Sequence, residues 1–180
     1  MQLPALSSRR LIGAGAIACA AVLAPVVALA ATSSSPRELA GGTPRCTTAG
    51  LVVWLNTQGS GTAGSTFYQL KFTNLSGHAC TLTGYPGVSG VNLAGHRLGS
   101  AAARDHSVTP HTVRLPAGAT RTATLQLVNV GNFSATACHP VTAAGLRVFP
   151  PNTFRSKIVP FPFRACSRSG PAYLIVRPVR

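Results

Sequence analysis

Short apolar stretches separated by turn-forming residues make up most of the chain after residue 45. Residues 66–73 alternate between apolar and polar side chains, which is the period of a half-buried strand. Residues 51–55 are apolar on both faces and predict a fully buried strand. Pro116-Ala117-Gly118 stands between two further apolar stretches and predicts a β-hairpin. Since no segment keeps a 3.6-residue period, we expect an all-β domain.

The other predicted strands are equally short, at residues 80–82, 88–93, 113–115, 120–130, 145–149, 158–163 and 173–176. Pro160 and Pro162 restrict residues 158–163 to an edge strand or an extended loop. Seven to nine short strands in one domain predict a single immunoglobulin-like β-sandwich. The cysteine–tryptophan spacing of true immunoglobulin cores is missing, so we interpret Trp54 as an ordinary core residue.

Residues 1–30 have the three parts of an export signal. Arg9 and Arg10 precede an uncharged apolar stretch, and Ala28-Leu29-Ala30 supplies the small residues that a signal peptidase requires. We expect cleavage after Ala30, a flexible Ser/Pro/Gly-rich stalk at residues 31–44, and one β-sandwich domain at residues 45–180. A retained membrane anchor is the alternative, and the paired arginines leave Sec and twin-arginine export both open. We therefore expect a protein that is secreted or associated with the cell envelope.

Four cysteines remain once Cys19 is lost with the signal: Cys46, Cys80, Cys138 and Cys166. An even number of cysteines in an exported domain predicts two disulfides. Four cysteines allow three pairings, and their number does not choose among them.

A recurring layout of residues surrounds the first two cysteines. Cys46-Thr47 leads into an apolar strand, Phe72-Thr73-Asn74 precedes Cys80, and the sequence LTGYPGV follows at residues 82–88. Together with Leu115-Pro116-Ala117-Gly118, this layout resembles the secreted actinobacterial family catalogued as domain of unknown function 4232, over roughly residues 46–177. The resemblance implies an exported or envelope-attached β-domain and carries no established catalytic residue.

Within that framework we choose the disulfide pairing that joins nearest neighbours in sequence. It connects Cys46 to Cys80 and Cys138 to Cys166, and each bond closes a loop of about 30 residues. Tyr85 then lies in a turn at residues 84–87, soon after the first disulfide.

The chain is strongly basic, with 16 Lys and Arg residues against two acids and a net charge of +14 at pH 7. Loss of Arg9 and Arg10 with the signal leaves +12. The cations are scattered, which favours salt-sensitive attraction to an anionic cell-envelope polymer, a membrane surface or an envelope protein. Nucleic acid is the least favoured partner, because no nucleic-acid-binding motif accompanies the export signal. We expect a monomer whose surface contacts include Tyr85, Arg97, Arg104, Arg114 and Arg121.

Residue sets for catalysis or metal binding are sparse. Asp105 is the single acid of the expected domain, which excludes a two-carboxylate glycosidase. The five histidines have no standard ligand spacing, and we interpret them as surface loop residues without a metal or cofactor. These observations favour a non-enzymatic binding or structural module. The alternative is an enzyme or enzyme inhibitor that lacks a recognisable motif.

Overall fold

The computed structural model describes residues 42–180, and the expected signal and residues 31–41 of the stalk lie outside that range. Eleven strands are present in the described part: β1 Leu51–Thr62, β2 Ser65–Asn74, β3 Cys80–Thr83, β4 Gly87–Val91, β5 Arg97–Leu98, β6 Ala103–Arg104, β7 Thr112–Leu115, β8 Thr120–Val128, β9 Pro140–Phe149, β10 Lys157–Cys166 and β11 Leu174–Val176. Two short helices follow β8, a 3-10 turn at Val130–Asn132 and α1 at Ala135–Cys138. No helix in residues 42–180 is long and apolar enough to cross a membrane.

Two of the three sheets form the sandwich. One sheet has the strand order β1-β2-β8-β11-β6 and the facing sheet has the order β10-β9-β4-β5. Strands β3 and β7 form a separate two-stranded sheet. The predicted all-β sandwich is confirmed. The strand number exceeds the expected seven to nine because β5 and β6 are pairings of only two residues each.

Alternation along β2 builds one wall of the core. Leu70 and Phe72 are fully buried, and they lie opposite Ala123 and Arg121 of β8. Aromatic rings then connect the two sheets. Tyr68 packs edge-on against Phe161 of β10 at 5.0 Å between ring centroids. The assignment of β10 as an edge strand is confirmed, since it pairs only with β9 and accommodates both of its prolines there.

The outer face of β1 differs from the prediction. Leu51 and Leu55 are buried as expected, but Val52 is 44% exposed and Trp54 is 41% exposed. The five-stranded sheet has one face on the core and the other in solvent, as antiparallel sheets commonly do. The prediction of a strand buried on both faces, with Trp54 in the core, was therefore wrong.

The turn at Pro116-Ala117-Gly118 also differs from the prediction. It connects β7 and β8, which pair with β3 and β2 in different sheets and form no hairpin. The turn is held instead by the end of β2, where the Gly118 amide donates to the Asn74 carbonyl at 2.7 Å. The Asn74 amide in turn donates to the Ala119 carbonyl at 3.0 Å. These bonds direct the chain across from one sheet to the other.

Both predicted disulfides are confirmed. Cys46–Cys80 joins the segment before β1 to β3, and Cys138–Cys166 joins α1 to the end of β10. The Cα–Cα distances are 4.9 Å and 4.5 Å. Each bond ties a segment outside the two main sheets to a strand.

Tyr173 gives the domain an alkaline pH dependence. Its side chain is buried against Phe163, and its hydroxyl donates to the Leu98 carbonyl at 2.7 Å. Burial raises the pKa of Tyr173 from 10.0 to about 12. Because the folded-state pKa is raised, the contribution of the protonated phenol is complete below pH 10 and is lost as the pH rises towards 12. We expect the midpoint of urea unfolding to fall over this interval.

A Tyr173→Phe variant is the control for that titration. We expect it to be less stable than the parent chain at neutral pH, because the Leu98 carbonyl loses its donor. Its unfolding midpoint should change less than that of the parent between pH 10 and 12. If the unfolding midpoints of the two proteins fall equally between pH 10 and 12, the pH dependence arises from groups other than Tyr173.

Candidate functional site

Two adjoining cavities form a groove around the connection between β3 and β4. Their volumes are about 380 Å³ and 250 Å³, and both are lined by Thr83 and Asn152. We call this surface the Tyr85 groove. Its other lining residues are Gly84, Tyr85, Gly87, Arg104, Phe149, Pro150, Thr153 and Phe154 in the larger cavity, and Thr43, Arg45, Thr81, Thr112 and Pro151 in the smaller.

Tyr85 is positioned by hydrogen bonds of the preceding backbone and of its own hydroxyl group. Gly84 has a φ of +96°, a conformation that side-chain-bearing residues rarely adopt, and its carbonyl accepts from the Val179 amide at 3.0 Å. The Tyr85 hydroxyl donates to the carbonyls of Asp105 and Val108 at 3.1 Å and 3.2 Å. The phenol therefore anchors the loop after β6, while its partly buried ring forms a wall of the groove.

Arg104 and His106 lie against the ring of Tyr85. The guanidinium carbon of Arg104 is 5.5 Å from the ring centroid, within the range of a cation–π contact. The His106 ring is also 5.5 Å away and tilted by 59°. Arg104 is exposed and has no carboxylate partner among residues 42–180, so its positive charge faces the groove and the solvent.

Asp105, next to Arg104, points its carboxylate elsewhere. Oδ2 accepts from Nε of Arg177 at 2.7 Å and Oδ1 accepts from the Ser107 amide at 2.9 Å. Hydrogen bonds from Ser107 and Arg177 hold the pKa of Asp105 well below its ordinary value. The carboxylate is thus ionised and engaged, and it does not form a relay with the neighbouring His106.

The smaller cavity is lined by hydroxyl groups and bordered by two arginines. Burial alternates along β3, which buries Cys80 and Leu82 and turns Thr81 and Thr83 outwards. Arg45 and Arg114 lie opposite Thr81 on its two sides, and both are exposed. Arg45, Thr81 and Arg114 therefore form a row that places two guanidinium groups on one face of the two-stranded sheet.

The structure brings together three of the five predicted surface contacts. Tyr85 and Arg104 line the larger cavity, and Arg114 lies opposite Thr81 of the smaller cavity without lining it. Arg97 lies in β5 at the edge of the four-stranded sheet, and Arg121 lies in β8 opposite Phe72. These last two residues are not part of the groove, because neither of them lines either cavity.

Sequence reasoning missed Arg45 and Phe154. From the sequence, residue 45 is only the first residue of the expected domain, and the place of Arg45 in the groove depends on its pairing with Thr81. Phe154 is 99% exposed at the rim of the larger cavity. A single aromatic residue among polar neighbours after Pro150-Pro151 was the available signal for an exposed ring.

The groove therefore offers guanidinium groups, threonine hydroxyls and aromatic rings, and its lining contains no carboxylate side chain. Within residues 42–180 no three His, Cys, Asp or Glu side chains converge as metal ligands. Such a surface can bind anionic or hydroxyl-rich ligands by charge and hydrogen bonding.

Comparison with known proteins agrees with the resemblance found in the sequence. No curated protein matches the chain. A family model described as "Domain of unknown function (DUF4232)" matches residues 46–180, which include both disulfides, every strand of the sandwich, and the Tyr85 groove except for Thr43 and Arg45. The chain belongs to this DUF4232 family.

Proposed function

We propose that this protein is an exported, non-enzymatic binding module that holds an anionic polymer of the cell envelope in the Tyr85 groove. The observation that carries the proposal is that Arg45 and Arg104 line one groove without a carboxylate in its lining, while Arg114 lies next to it opposite Thr81. Guanidinium groups bind phosphate and carboxylate oxygens with two parallel hydrogen bonds, so this arrangement suits a polyanion.

The net charge of the whole chain supports the same ligand class. At +12 after loss of Arg9 and Arg10 with the signal, the chain attracts polyanions over distances longer than any contact, and the groove then supplies the close contacts. Attraction of this kind weakens steeply with salt, because the screening length falls from about 10 Å at 0.1 M to about 3 Å at 1 M.

Export is part of the proposal. It is supported by the signal-like pattern of residues 1–30 and by two disulfides, which persist in oxidising compartments outside the cytoplasm. An anionic envelope polymer is a partner that such a compartment provides.

The absence of catalysis is supported by how the reactive side chains are used. The hydroxyl of Tyr85 is donated to backbone carbonyls, and the hydroxyls of Thr83 and Thr112 bond each other at 2.8 Å. Asp105 is engaged by Ser107 and Arg177. A nucleophile next to a general base, which acyl transfer requires, is not found among these groups.

Co-sedimentation with envelope material from the protein's own source tests the proposal. We expect binding at low salt and its loss at about 0.5 M salt, where exposed charges are screened beyond a few ångströms. The combined change Arg45→Ala, Arg104→Ala and Arg114→Ala should weaken low-salt binding about tenfold, because each surface ion pair contributes about 0.5 kcal/mol.

A charge-matched control removes three exposed arginines outside the groove: Arg97→Ala, Arg164→Ala and Arg168→Ala. We expect this variant to lose about twofold or less, through its lower net charge alone. If the two triple variants lose equal amounts of low-salt binding, binding depends on total charge, and the proposal that the groove holds the polymer is refuted. Binding that survives about 0.5 M salt would refute the electrostatic mechanism.

A further inference from the structure

The solvent face of the five-stranded sheet carries an exposed and well-positioned tryptophan. Trp54 is 41% exposed, although tryptophan in a small domain usually contributes to the core. Its Nε1 donates to Oγ1 of Thr73 at 3.1 Å, and Nζ of Lys71 lies 4.7 Å from the ring centroid. Two neighbours on β2 therefore fix the orientation of the ring, so little side-chain entropy remains to be lost when a ligand contacts it.

The strand register places polar and cationic side chains in a row beside Trp54. Trp54 lies opposite Lys71, and Lys71 lies opposite Thr122 of β8. Thr122 exchanges both backbone hydrogen bonds with Arg180, so Arg180 continues the row. Directly opposed residues point to the same face of a sheet. The row crosses four neighbouring segments, about 14 Å at the usual strand spacing.

A second row runs alongside the first. Asn56 lies opposite Gln69, Gln69 lies opposite Thr124, and the Arg177 amide donates to the Thr124 carbonyl. The side chains of Gln69, Thr122 and Thr124 are exposed or partly exposed and make no hydrogen bond to another residue of the range 42–180, so they are available to a ligand. We call the two rows together the Trp54 face.

The charge of the Trp54 face is positive. Lys71 has no carboxylate partner in the described chain, while Arg177 is paired with Asp105. No acidic side chain occurs in either row. The face thus combines one rigid aromatic ring, free hydroxyl and amide groups, and one uncompensated cation, Lys71.

We infer that the Trp54 face binds an acidic polysaccharide, a glycan chain whose sugar rings carry carboxylates. A pyranose ring has an apolar C–H face that packs on the indole, and hydroxyls at its edges that pair with threonine and amide groups. Its carboxylate is matched by the ammonium group of Lys71. This surface is separate from the Tyr85 groove, and the inference adds a requirement for sugar rings to the general attraction for polyanions.

The composition of the face favours this ligand over a lipid surface or a protein partner. Val52 and Trp54 are the only large apolar side chains that β1 exposes, and the neighbouring rows are hydroxyl, amide and cationic groups. Membrane insertion and protein interface cores both rely on larger apolar patches. A glycan uses one stacking ring and many hydrogen bonds, which is what the face offers.

Trp54 is the single tryptophan of the chain, so its fluorescence reports directly on this face. The test measures how strongly acrylamide quenches Trp54 fluorescence in the full chain. The measurement is repeated in the presence of three ligands of equal length: an oligogalacturonate, a neutral malto-oligosaccharide and an oligoglutamate. We expect the oligogalacturonate to reduce quenching about twofold, since a ring stacked on the indole blocks the quencher. The neutral sugar should protect at higher concentration, and the oligoglutamate should not protect.

Two variants separate stacking from charge. Lys71→Gln should weaken oligogalacturonate binding about fivefold and the neutral sugar much less, since the carboxylate loses its cation while the bond to Thr73 still orients the indole. Trp54→Ala should weaken both sugars about tenfold in calorimetry, a loss comparable to removing one aromatic stacking contact. Ile158→Ala is the matched control, because Ile158 is 53% exposed on the other sheet. We expect this variant to bind both sugars with the affinity of the parent chain.

Three results would overturn the inference. If oligoglutamate protects Trp54 as well as oligogalacturonate does, the face binds negative charge and does not require sugar rings. Failure of both sugars to protect Trp54 would exclude stacking, as would full binding by Trp54→Ala. The triple variant Arg45→Ala, Arg104→Ala and Arg114→Ala distinguishes the two surfaces: it should retain protection of Trp54 even if it no longer sediments with envelope material.

Discussion

Replacing Cys138 and Cys166 together by alanine is expected to lower the free energy of unfolding by about 3–4 kcal/mol. The bond closes a loop with a sequence separation of 28, and its loss restores that conformational freedom to the unfolded chain. Both cysteines are fully buried, and alanine keeps the site apolar. Urea unfolding followed by circular dichroism measures the change.

The pair Cys46→Ala and Cys80→Ala provides a matched comparison. Its sequence separation of 34 is only slightly larger, so chain entropy predicts a loss of nearly the same size, within about 0.3 kcal/mol. A loss well below about 1 kcal/mol for either pair would contradict the chain-entropy account of that bond. A much larger loss for one pair would show that its bond also maintains native packing.

Asn74→Ala is expected to cost about 3 kcal/mol, the second largest effect that the structure predicts. Asn74 is fully buried, and its Nδ2 donates to the carbonyls of His78 and Leu115 at 2.8 Å and 2.9 Å. Its Oδ1 accepts from the amide and the hydroxyl of Ser76 at 3.0 Å and 2.7 Å. Alanine removes all four bonds and leaves the buried Leu115 carbonyl without this donor.

Two further variants test whether the donors are what matters. Asn74→Asp keeps the shape and both acceptor bonds but loses the two donors, so we expect a loss at least as large as that of alanine. Ser76→Ala removes one partner at a less buried position and should cost about 1 kcal/mol or less. Stability of Asn74→Asp close to that of the parent chain would show that the two carbonyls find other donors.

The same residue explains one failed prediction. Pro116-Ala117-Gly118 has the composition of a hairpin turn, and local sequence predicts a turn there correctly. The direction that the chain takes after this turn depends on Asn74, more than 40 residues earlier, whose backbone and side chain hold both ends of it. A turn signal is local, whereas the choice of pairing partner is made by long-range hydrogen bonds.

Trp54 shows a second limit of prediction from local patterns. Five consecutive apolar residues predicted a strand, and β1 does begin at Leu51. Whether both faces are covered depends on which elements pack against the sheet, and that information is not contained in the five residues themselves. The exposed face that results is the surface from which we infer glycan binding.

The groove was predicted in part. Tyr85 was chosen because it lies in a turn, and Arg104 and Arg114 because they are cations in a basic chain. Their proximity, and the participation of Arg45, result from the two-stranded sheet and from the bonds of the Tyr85 hydroxyl. Charge composition indicates a kind of partner, but only contacts between distant segments identify the surface.

Local patterns were sufficient for the all-β class, most strand positions and the edge strand with its prolines, because each depends on residues close together in the chain. The disulfide pairing was also correct, since nearest neighbours in sequence form short loops. Sheet order, the exposure of Trp54 and the assembly of the Tyr85 groove were decided by tertiary structure. Each of these depends on hydrogen bonds and packing between segments far apart in sequence. Short-range periodicity does not predict such long-range contacts.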